Sequence, residues 1–461
     1  MKVTLKQTYT WLFFLGIFFI PFNSYEGVSF LGEFKRDGAI LFFLASFLIF
    51  SIDVLYKGKL SFPYKNIFIH LLLVFLVWLL FSTLVNGYNI YGSVLKSTTG
   101  ISRFVRQLIA LSLSLIIFLT AYNISINFSV KQLFFKIRRM FLYSFVVVVF
   151  YGIIETMIVY FKITSLKPII LIFNYLPFLD VYLDINWGRI SSITYEPPFL
   201  AIYLITIAGW MFSYIVTSKG IKKYLPTLFV FALTFFSGSR TALVVVLFQF
   251  FVFISVTFTL KRKFRDLINK FLIIGGALFL IIFIFNSKKV TEAIETKIES
   301  LNFKDNLISN ISNRSRFGIQ YTSLLIYKDN PVFGVGFGQQ AYHAKNRYPK
   351  WATENNYEFQ LYYLNENERS FPPGYNMYTR LLAETGSVGF LIFISFILFI
   401  FYQCKKMIKS RKGVEKIIPL ILLVSFVGFS INWLQFDSFR VFGFWICLAV
   451  LIRQVNEKKY E

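Results

Sequence analysis

A glycine, two serines and an arginine interrupt a run of apolar side chains in FFSGSRTALVV, from Phe235 to Val245. A charged side chain inside an apolar segment is costly and usually has a function or a charged partner. The planar guanidinium of arginine stays charged and matches the oxygen atoms of phosphate. Arg240 also lies where a turn leads into a predicted helix, whose free N–H groups favour an anion. The stretch therefore predicts an anion site at Arg240, with Ser237 and Ser239 beside it.

Other arginines stand near the ends of apolar segments. They are Arg103 or Arg106, Arg189, Arg314, Arg316, Arg380 and Arg440. Each could bind an anion, and a lipid-linked pyrophosphate at the outer leaflet is a suitable ligand. Each could instead reach the membrane interface or form an ion pair within the bundle, as Arg440 could with Asp437. We favour ligand contact for Arg240 and Arg189.

Few other residues suggest chemistry. Glu155 lies inside an apolar segment, which indicates either a functional acid or a partner for one of these arginines. Of the two histidines, we expect a structural role for His70 and a surface role for His343. The sequence has no metal-ligand cluster and no Walker-type glycine loop, so we predict no metal and no cofactor. The glycine-rich GVGFGQQ, Gly334 to Gln340, predicts a turn.

The composition is typical of a helical membrane protein. Of the 461 residues, 56% are hydrophobic and 20% are aromatic. Apolar stretches of about 18 residues or more recur, each long enough to span the hydrocarbon core. In a soluble protein the formal charge of +25 would suggest nucleic acid, but the positive-inside rule explains much of it here. We therefore expect an all-α polytopic protein that lies in the lipid bilayer and binds no nucleic acid.

Length and hydropathy predict about twelve transmembrane helices. They lie at 9–22, 38–55, 67–85, 104–122, 140–161, 199–216, 224–236, 241–260, 271–285, 388–402, 417–433 and 439–452. With the N-terminus inside, the segments on that side hold twenty-six lysines and arginines, against nine in the short loops opposite. This bias predicts that both termini are cytoplasmic and that the SGSR turn faces outward.

This layout divides the chain into three parts. Residues 1–285 form a bundle of nine helices, residues 286–387 a large outer loop, and residues 388–461 three more helices with a cytoplasmic tail. Loops of this length are usually functional, and the helix-like pieces VTEAIETKIESL and SRFGIQYTSLLIYKD predict that this loop is folded. A second irregular piece, residues 165–188, is apolar but broken by prolines, which predicts a segment in the membrane interface.

Between residues 188 and 393 the chain carries four stretches in order: GRISSITYEPPFLAIYL, SGSRTALVV, SRFGIQYTSLLIYKDNPVFGVGFGQQ and YNMYTRLLAETGSVGFLIF. Together with the topology, they resemble the superfamily of O-antigen ligases and Wzy-type O-antigen polymerases. The resemblance implies a membrane glycosyltransferase of the GT-C type in the bacterial inner membrane. Such enzymes act at the periplasmic face on sugars linked to undecaprenyl pyrophosphate, without metal or nucleotide sugar. It also implies that Arg240 and Arg189 bind the pyrophosphate and steady it as a leaving group.

One departure from the family pattern bears on the reaction. Ligases of this superfamily carry a histidine–asparagine pair where the large loop closes, and this sequence has Tyr375 and Asn376 there. The missing histidine favours a polymerase over a ligase and leaves the general base unassigned. Glu196 and Glu384 are candidate carboxylates for taking a proton from the acceptor hydroxyl. Glu384 could instead pair with Arg380, four residues earlier on the same helix face.

The resemblance favours a polymerase of surface polysaccharide repeat units. Substrate contacts are expected from residues of the SGSR turn, the outer loop and the helix ends: Ser237, Ser239, Arg314, Arg316, Tyr375, Asn376, Tyr378, Arg380 and Arg440. The loop aromatics Trp351, Tyr362 and Tyr363 either stack on sugars or pack the loop itself. A chain-length regulator is the protein partner that this function would suggest. The alternatives are a ligase acting on the lipid A core and a flippase, whose loops would be shorter.

Overall fold

The computed structural model describes residues 4–184, 188–259, 262–285, 295, 310–368, 370–411 and 413–457. Within these ranges the regular secondary structure is helical apart from one short hairpin, and an isolated bridge joins Ser24 to Leu179. Seven of the described helices are long and apolar enough to cross a membrane, and an eighth, Ile417–Asn432, is apolar but shorter. The expectation of an all-helical membrane protein is therefore confirmed, whereas the number of twelve crossings remains a prediction.

The first eleven helices precede the predicted outer loop. Their bounds are α1 Leu5–Phe18, α2 Gly38–Lys57, α3 Ile67–Val85, α4 Gly87–Gly92, α5 Gly100–Ser125, α6 Val130–Val159, α7 Lys167–Leu171, α8 Pro197–Thr217, α9 Leu225–Phe236, α10 Arg240–Phe258 and α11 Arg262–Phe285. Strands β1 (Val94–Leu95) and β2 (Thr98–Thr99) form the antiparallel hairpin. Short 3-10 helices lie at Ser29–Phe34, Thr164–Leu166, Ile172–Tyr175 and Ile221–Tyr224.

Six helices follow. They are α12 Ile311–Asp329, α13 Gln340–Ala344, α14 Lys350–Thr353, α15 Met377–Ser410, α16 Ile417–Asn432 and α17 Phe442–Glu457, with a π-helical turn at Phe359–Tyr363 and a 3-10 turn at Gly413–Lys416. The predicted helix in SRFGIQYTSLLIYKD is confirmed as part of α12. The predicted helix in VTEAIETKIESL lies, apart from Glu295, outside the described residues.

The start predicted for the tenth span, residue 388, lies two residues after a break within helix α15. Helix α15 begins at Met377, and Gly386 interrupts it with φ +64° and ψ −170°. The turn predicted for GVGFGQQ packs against this point, since Gly336 N donates to the Glu384 carbonyl at 2.9 Å. A Cβ on Gly334 would lie 2.4 Å from the carbonyl carbon of Glu384, so only glycine allows this approach.

Helix α8 lies at the centre of the bundle. In the most apolar stretch of this helix, 83% of the residues are buried. The helix packs against α6, α9, α10 and α16. Small residues allow close approach: a Cβ on Gly209 would lie 3.1 Å from Ser425 Oγ of α16. Trp210 of α8 is fully buried and stacks on Phe134 of α6, with 5.1 Å between ring centroids. The site therefore stands on a tightly packed scaffold.

Long-range contacts bring the connections between helices together at two ends of the bundle. At one end, Lys96 of the hairpin donates to the Tyr362 carbonyl, and Arg240 donates to Asn313. We call this end, which carries the SGSR turn, the SGSR end. At the opposite end, the connection between α2 and α3 is bonded to α5 and to α17.

Candidate functional site

The SGSR turn joins α9 to α10 through its own hydroxyl groups. Ser239 is the N-cap of α10, and its Oγ accepts from Ala242 N at 3.2 Å. Ser237 is buried; its Oγ donates to the Thr234 carbonyl at 2.8 Å and accepts from Ser239 N at 3.2 Å. Both hydroxyls build the turn, so these contacts give Ser237 and Ser239 a structural role. The substrate contacts expected of them stay a prediction.

Arg240 is the first residue of α10 and reaches the start of α12. Its guanidinium donates to Asn313 Oδ1 at 3.1 Å. Arg189 and Arg316 lie close enough for their positive charges to act on Arg240. The turn thus gathers three arginines from three separate parts of the chain, and we call them the arginine cluster. Like charges repel at short range, and an anion between the guanidinium groups would relieve that repulsion.

Arg189 lies across the SGSR turn. Gly238 has φ +68°, and a Cβ there would be 2.7 Å from Arg189 Cγ and 3.1 Å from its Cδ. The backbones are also joined, because Ile190 N donates to the Phe236 carbonyl at 3.4 Å. Tyr160 at the end of α6 donates its hydroxyl to the same carbonyl at 3.0 Å. Gly238 therefore has two roles: it allows the left-handed backbone of the turn, and its lack of a Cβ leaves room for the Arg189 side chain.

Glu155 of α6 holds the segment that follows Arg189. The carboxylate is fully buried and accepts from Ser191 N at 3.1 Å and from Ser192 N at 2.7 Å. The expectation that Glu155 pairs with one of the arginines is therefore wrong. Backbone N–H groups take the place that a guanidinium was expected to fill.

Helix α12 contributes two arginines with different surroundings. Asn310 caps the helix and accepts from Asn313 N at 3.1 Å, which sets the first turn beside Arg240. Arg314 points to the loop and donates to the Asn355 carbonyl at 2.7 Å. Arg316 lies over the ring of Tyr375, 5.2 Å from its centroid. Arg316 thus joins the cluster, whereas the described bond of Arg314 stabilises the loop.

Tyr375 occupies the place where the family pattern has histidine. It has φ +56°, an uncommon conformation for an aromatic residue, and its hydroxyl is hydrogen-bonded to that of Tyr363. Burial raises the pKa of Tyr375 and that of Tyr363 above the usual value. Both phenols therefore stay protonated at neutral pH and suit a hydrogen-bonding role better than that of a general base.

Asn376 and Tyr378 make structural contacts. Asn376 caps α15, and its Oδ1 accepts from Tyr378 N at 2.9 Å and Thr379 N at 3.2 Å. Its amide donates to Gln320 Oε1 at 3.3 Å. The Tyr378 hydroxyl donates to the Ser430 carbonyl at 2.7 Å. Their expected substrate contacts would have to compete with these bonds.

Glu384 and Arg380 form the buried ion pair that their spacing allowed. Arg380 Nε lies 3.1 Å from Glu384 Oε1, with side chains 8% and 2% exposed. Arg380 also donates to Gln107 Oε1 at 2.8 Å and to the Asp437 carbonyl at 2.7 Å. A paired carboxylate enclosed in this way is a poor acceptor for a substrate proton. The geometry therefore argues against Glu384 as base and against Arg380 as a substrate contact.

Arg440 belongs to a neighbouring charge network. The pairing with Asp437 suggested by the sequence is wrong, because Arg440 donates to the Glu33 carbonyl and lies 3.7 Å from Asp37 Oδ2. Arg103 donates to Glu33 Oε1 at 2.9 Å. Burial alone would raise the pKa of Glu33, but Arg440 and Arg103 hold it below its usual value. Burial raises the pKa of Asp37 to about 6, against the effect of Arg440. Arg440 thus stabilises the SGSR end through its contacts with Glu33 and Asp37.

Glu196 is the N-cap residue of α8, seven positions after Arg189 in the printed sequence. The residue is exposed. Partial desolvation of its carboxylate raises its pKa, and nearby Arg36 acts in the opposite direction. A carboxylate whose pKa is raised toward neutrality is a better general base than an unperturbed one. Glu196 therefore remains the candidate base, and its part in catalysis stays a prediction.

The other residues singled out by the sequence lie in the folded loop. Trp351 is 40% exposed and Tyr362 46% exposed, so both rings are open for contact. His343 lies in α13, where burial and nearby Arg347 lower its pKa. Within the described ranges, no three His, Cys, Asp or Glu residues are grouped so that they could hold a metal ion.

Residues 225–394, a little over a third of the chain, match the family model described as O-antigen ligase. The segment contains Arg240, Arg316 and Tyr375, whereas Arg189 lies outside it. The resemblance is thereby confirmed: this part of the chain is a domain of the family that O-antigen ligases share with Wzy-type polymerases. Members of that family are membrane enzymes that transfer glycans. No curated protein matches the chain.

Proposed function

We propose that this protein polymerises surface polysaccharide repeat units, transferring the growing glycan from undecaprenyl pyrophosphate to the non-reducing end of a lipid-linked repeat unit. One observation carries the proposal: the arginine cluster is seated on the SGSR turn, and two of its members lie inside the matched family domain. Guanidinium groups from separate elements suit the several oxygens of a pyrophosphate. Tyr375 beside Arg316 fills the position of the ligase histidine, which favours the polymerase.

In the proposed reaction, the acceptor hydroxyl oxygen bonds to the anomeric carbon as the bond from that carbon to the phosphate oxygen breaks. Negative charge develops on the departing pyrophosphate, where Arg240, Arg189 and Arg316 stabilise it. The hydroxyl proton passes to a carboxylate, for which we propose Glu196. Attack on the face opposite the leaving group inverts the anomeric configuration. The products are the extended glycan and undecaprenyl pyrophosphate.

The proposal includes a topology. The SGSR end faces the periplasm, both termini face the cytoplasm, and twelve helices cross the inner membrane. The parts are then a bundle over residues 1–285, a periplasmic loop over 286–387, and the last three crossings with a cytoplasmic tail over 388–461. The excess of lysine and arginine on the cytoplasmic side supports this orientation.

The test is a gel of surface glycolipid from a strain in which this gene is deleted and then restored. Wild type should give a ladder, and Arg240→Ala should leave core with a single repeat. Arg453→Ala is the matched control, because Arg453 pairs with Glu457 at 3.6 Å at the opposite end of the bundle; it should restore the ladder.

Other patterns on this gel would overturn the proposal. Bare core with polymer accumulating on undecaprenyl pyrophosphate identifies a ligase. Repeat units trapped on the cytoplasmic side identify a flippase. A normal ladder with Arg240→Ala removes the phosphate-binding role of the SGSR turn.

A further inference from the structure

Glu155 is a buried carboxylate that the proposed reaction does not use. It lies in the last two turns of α6 and has no accessible surface. An acidic side chain at such a position is expensive unless it is hydrogen-bonded. Its two oxygens accept separately, one from Ser191 N at 3.1 Å and one from Ser192 N at 2.7 Å. Both bonds go to one short segment and satisfy the buried carboxyl group.

That segment has a backbone that needs support. Ser192 has φ +53°, a left-handed conformation that is unfavourable for a residue with a Cβ. Its hydroxyl donates to the Val148 carbonyl of α6 at 2.8 Å. Gly152 lies between Val148 and Glu155 on α6. A Cβ on Gly152 would be 3.7 Å from Ser192 Oγ and 2.7 Å from Leu233 Cδ2. One face of α6 is therefore shaped to receive the turn, and Glu155 supplies the hydrogen bonds to it.

The same segment carries Arg189. Only Ile190 separates Arg189 from Ser191, and Ile190 N is bonded to the Phe236 carbonyl of the SGSR connection. Consecutive Cα atoms are about 3.8 Å apart, so a shift of the Ser191 and Ser192 amides is passed directly to Arg189. Arg189 in turn is seated on Gly238 with little clearance. Small movements at Glu155 should therefore displace Arg189 from the arginine cluster.

We propose that Glu155 is a positioning residue for glycan transfer. Through the Ser191 and Ser192 amides it fixes the turn that presents Arg189 to the SGSR turn beside Arg240. This role rests on the proposed function, because it matters only if Arg189 contacts the pyrophosphate. Glu155 itself does not touch the reacting atoms.

The test uses Glu155→Gln, which keeps the volume and one acceptor oxygen. The new NH2 group faces a backbone N–H and cannot accept from it. We expect transfer per folded molecule to fall roughly tenfold, as loss of one buried hydrogen bond implies, with weaker binding of undecaprenyl pyrophosphate as the probe. Hydrogen exchange at residues 191 and 192 should become faster.

Two further variants separate positioning from a general structural role. Arg189→Ala with Glu155→Gln should be no slower than Arg189→Ala alone, because both changes remove the same contact. Gln249→Leu is the control: Gln249 is fully buried and bonded to the Ile205 and Val424 carbonyls inside the bundle. It should lower stability and leave transfer per folded molecule unchanged.

The outcomes distinguish this inference from the proposed function. If Arg189→Ala transfers glycan at the wild-type rate, the pyrophosphate role of Arg189 fails. If Arg189→Ala is slow but Glu155→Gln is not, or if the two effects multiply in the double variant, Glu155 does not act through Arg189. A Glu155→Gln protein that loses only folded yield, as Gln249→Leu should, overturns the positioning role.

Discussion

Replacing Gly238 by alanine should impair glycan transfer in a protein that still folds. The added Cβ would lie 2.7 Å from Arg189 Cγ, so the arginine must move. The left-handed φ of +68° also costs a residue with a Cβ about 1–2 kcal/mol. A hydrogen bond to a charged group contributes about 1.5–3 kcal/mol. Losing one such bond between Arg189 and pyrophosphate should therefore slow transfer roughly 10- to 150-fold.

Gly58 offers a matched control for the backbone part of this effect. It ends α2 with φ +62°, and no atom lies within 4 Å of a Cβ placed on it. Gly58→Ala therefore carries a similar conformational cost of about 1–2 kcal/mol without displacing a side chain. Both variants should lower the melting temperature by similar amounts. Only Gly238→Ala should lower transfer per folded molecule, and the difference isolates the displacement of Arg189.

The assay measures initial rates with purified protein and lipid-linked repeat units extracted from the deletion strain. The folded fraction is measured by size-exclusion chromatography, and rates are expressed per folded molecule. A wild-type rate for Gly238→Ala would refute the inference that the seat of Arg189 on Gly238 is needed for transfer. Equal slowing of the two variants would refute the steric explanation, because it would assign the loss to the backbone alone.

Three further predictions test the neighbouring charges and the topology. Glu384→Gln should keep the wild-type rate per folded molecule, since this carboxylate faces Arg380; a large loss at unchanged folding would restore Glu384 as the general base. Burial raises the pKa of Asp37 from 3.8 to about 6, so the folded state holds this proton more tightly than the unfolded state. The contribution of Asp37 to stability should be complete below about pH 4 and lost as the pH rises through about 6. Asp37→Asn should therefore flatten the fall in melting temperature over that range, and an unchanged slope would contradict the assignment. Both native cysteines are buried, so single cysteine probes can report topology: a membrane-impermeant maleimide should label Ser97→Cys and not Ser61→Cys in intact spheroplasts, and the reverse pattern would invert the proposed orientation.

Hydropathy located the helices because an apolar stretch of sufficient length is a local property of the sequence. Each of the twelve predicted segments overlaps a helix of the structure. The starts were predicted less well: α6 begins at Val130 and α11 at Arg262, where the predicted spans begin at residues 140 and 271. Helical structure also precedes the tenth predicted span, where the sequence between residues 377 and 386 contains Arg380 and Glu384. Their charges indicate a loop when each is taken alone. In the fold they neutralise each other at 3.1 Å inside the bundle, and the segment is helical.

The site was predictable only where a residue type was itself unusual for its surroundings. Arg240 could be identified because a cation in an apolar run is costly. Its contact with Asn313 joins positions far apart in the chain, and SNISNRSR gives no local signal beyond a helix start. Glu155 was recognised as unusual, but its partner was not. Backbone N–H groups occur at almost every residue, and so a carboxylate that binds them leaves no sequence signature.

The arginines of the SGSR end fall into two groups by the neighbours that hold them. Arg380 and Arg440 lie against buried or half-buried carboxylates, and such pairs brace the helices because removing one partner leaves the other uncompensated. Arg189 and Arg316 are instead seated on Gly238 and on the ring of Tyr375. A carboxylate at those seats would compete with a phosphate for the same guanidinium donors. A glycine and an aromatic face orient these two arginines without competing for their donors, in agreement with the proposed binding of an anionic substrate.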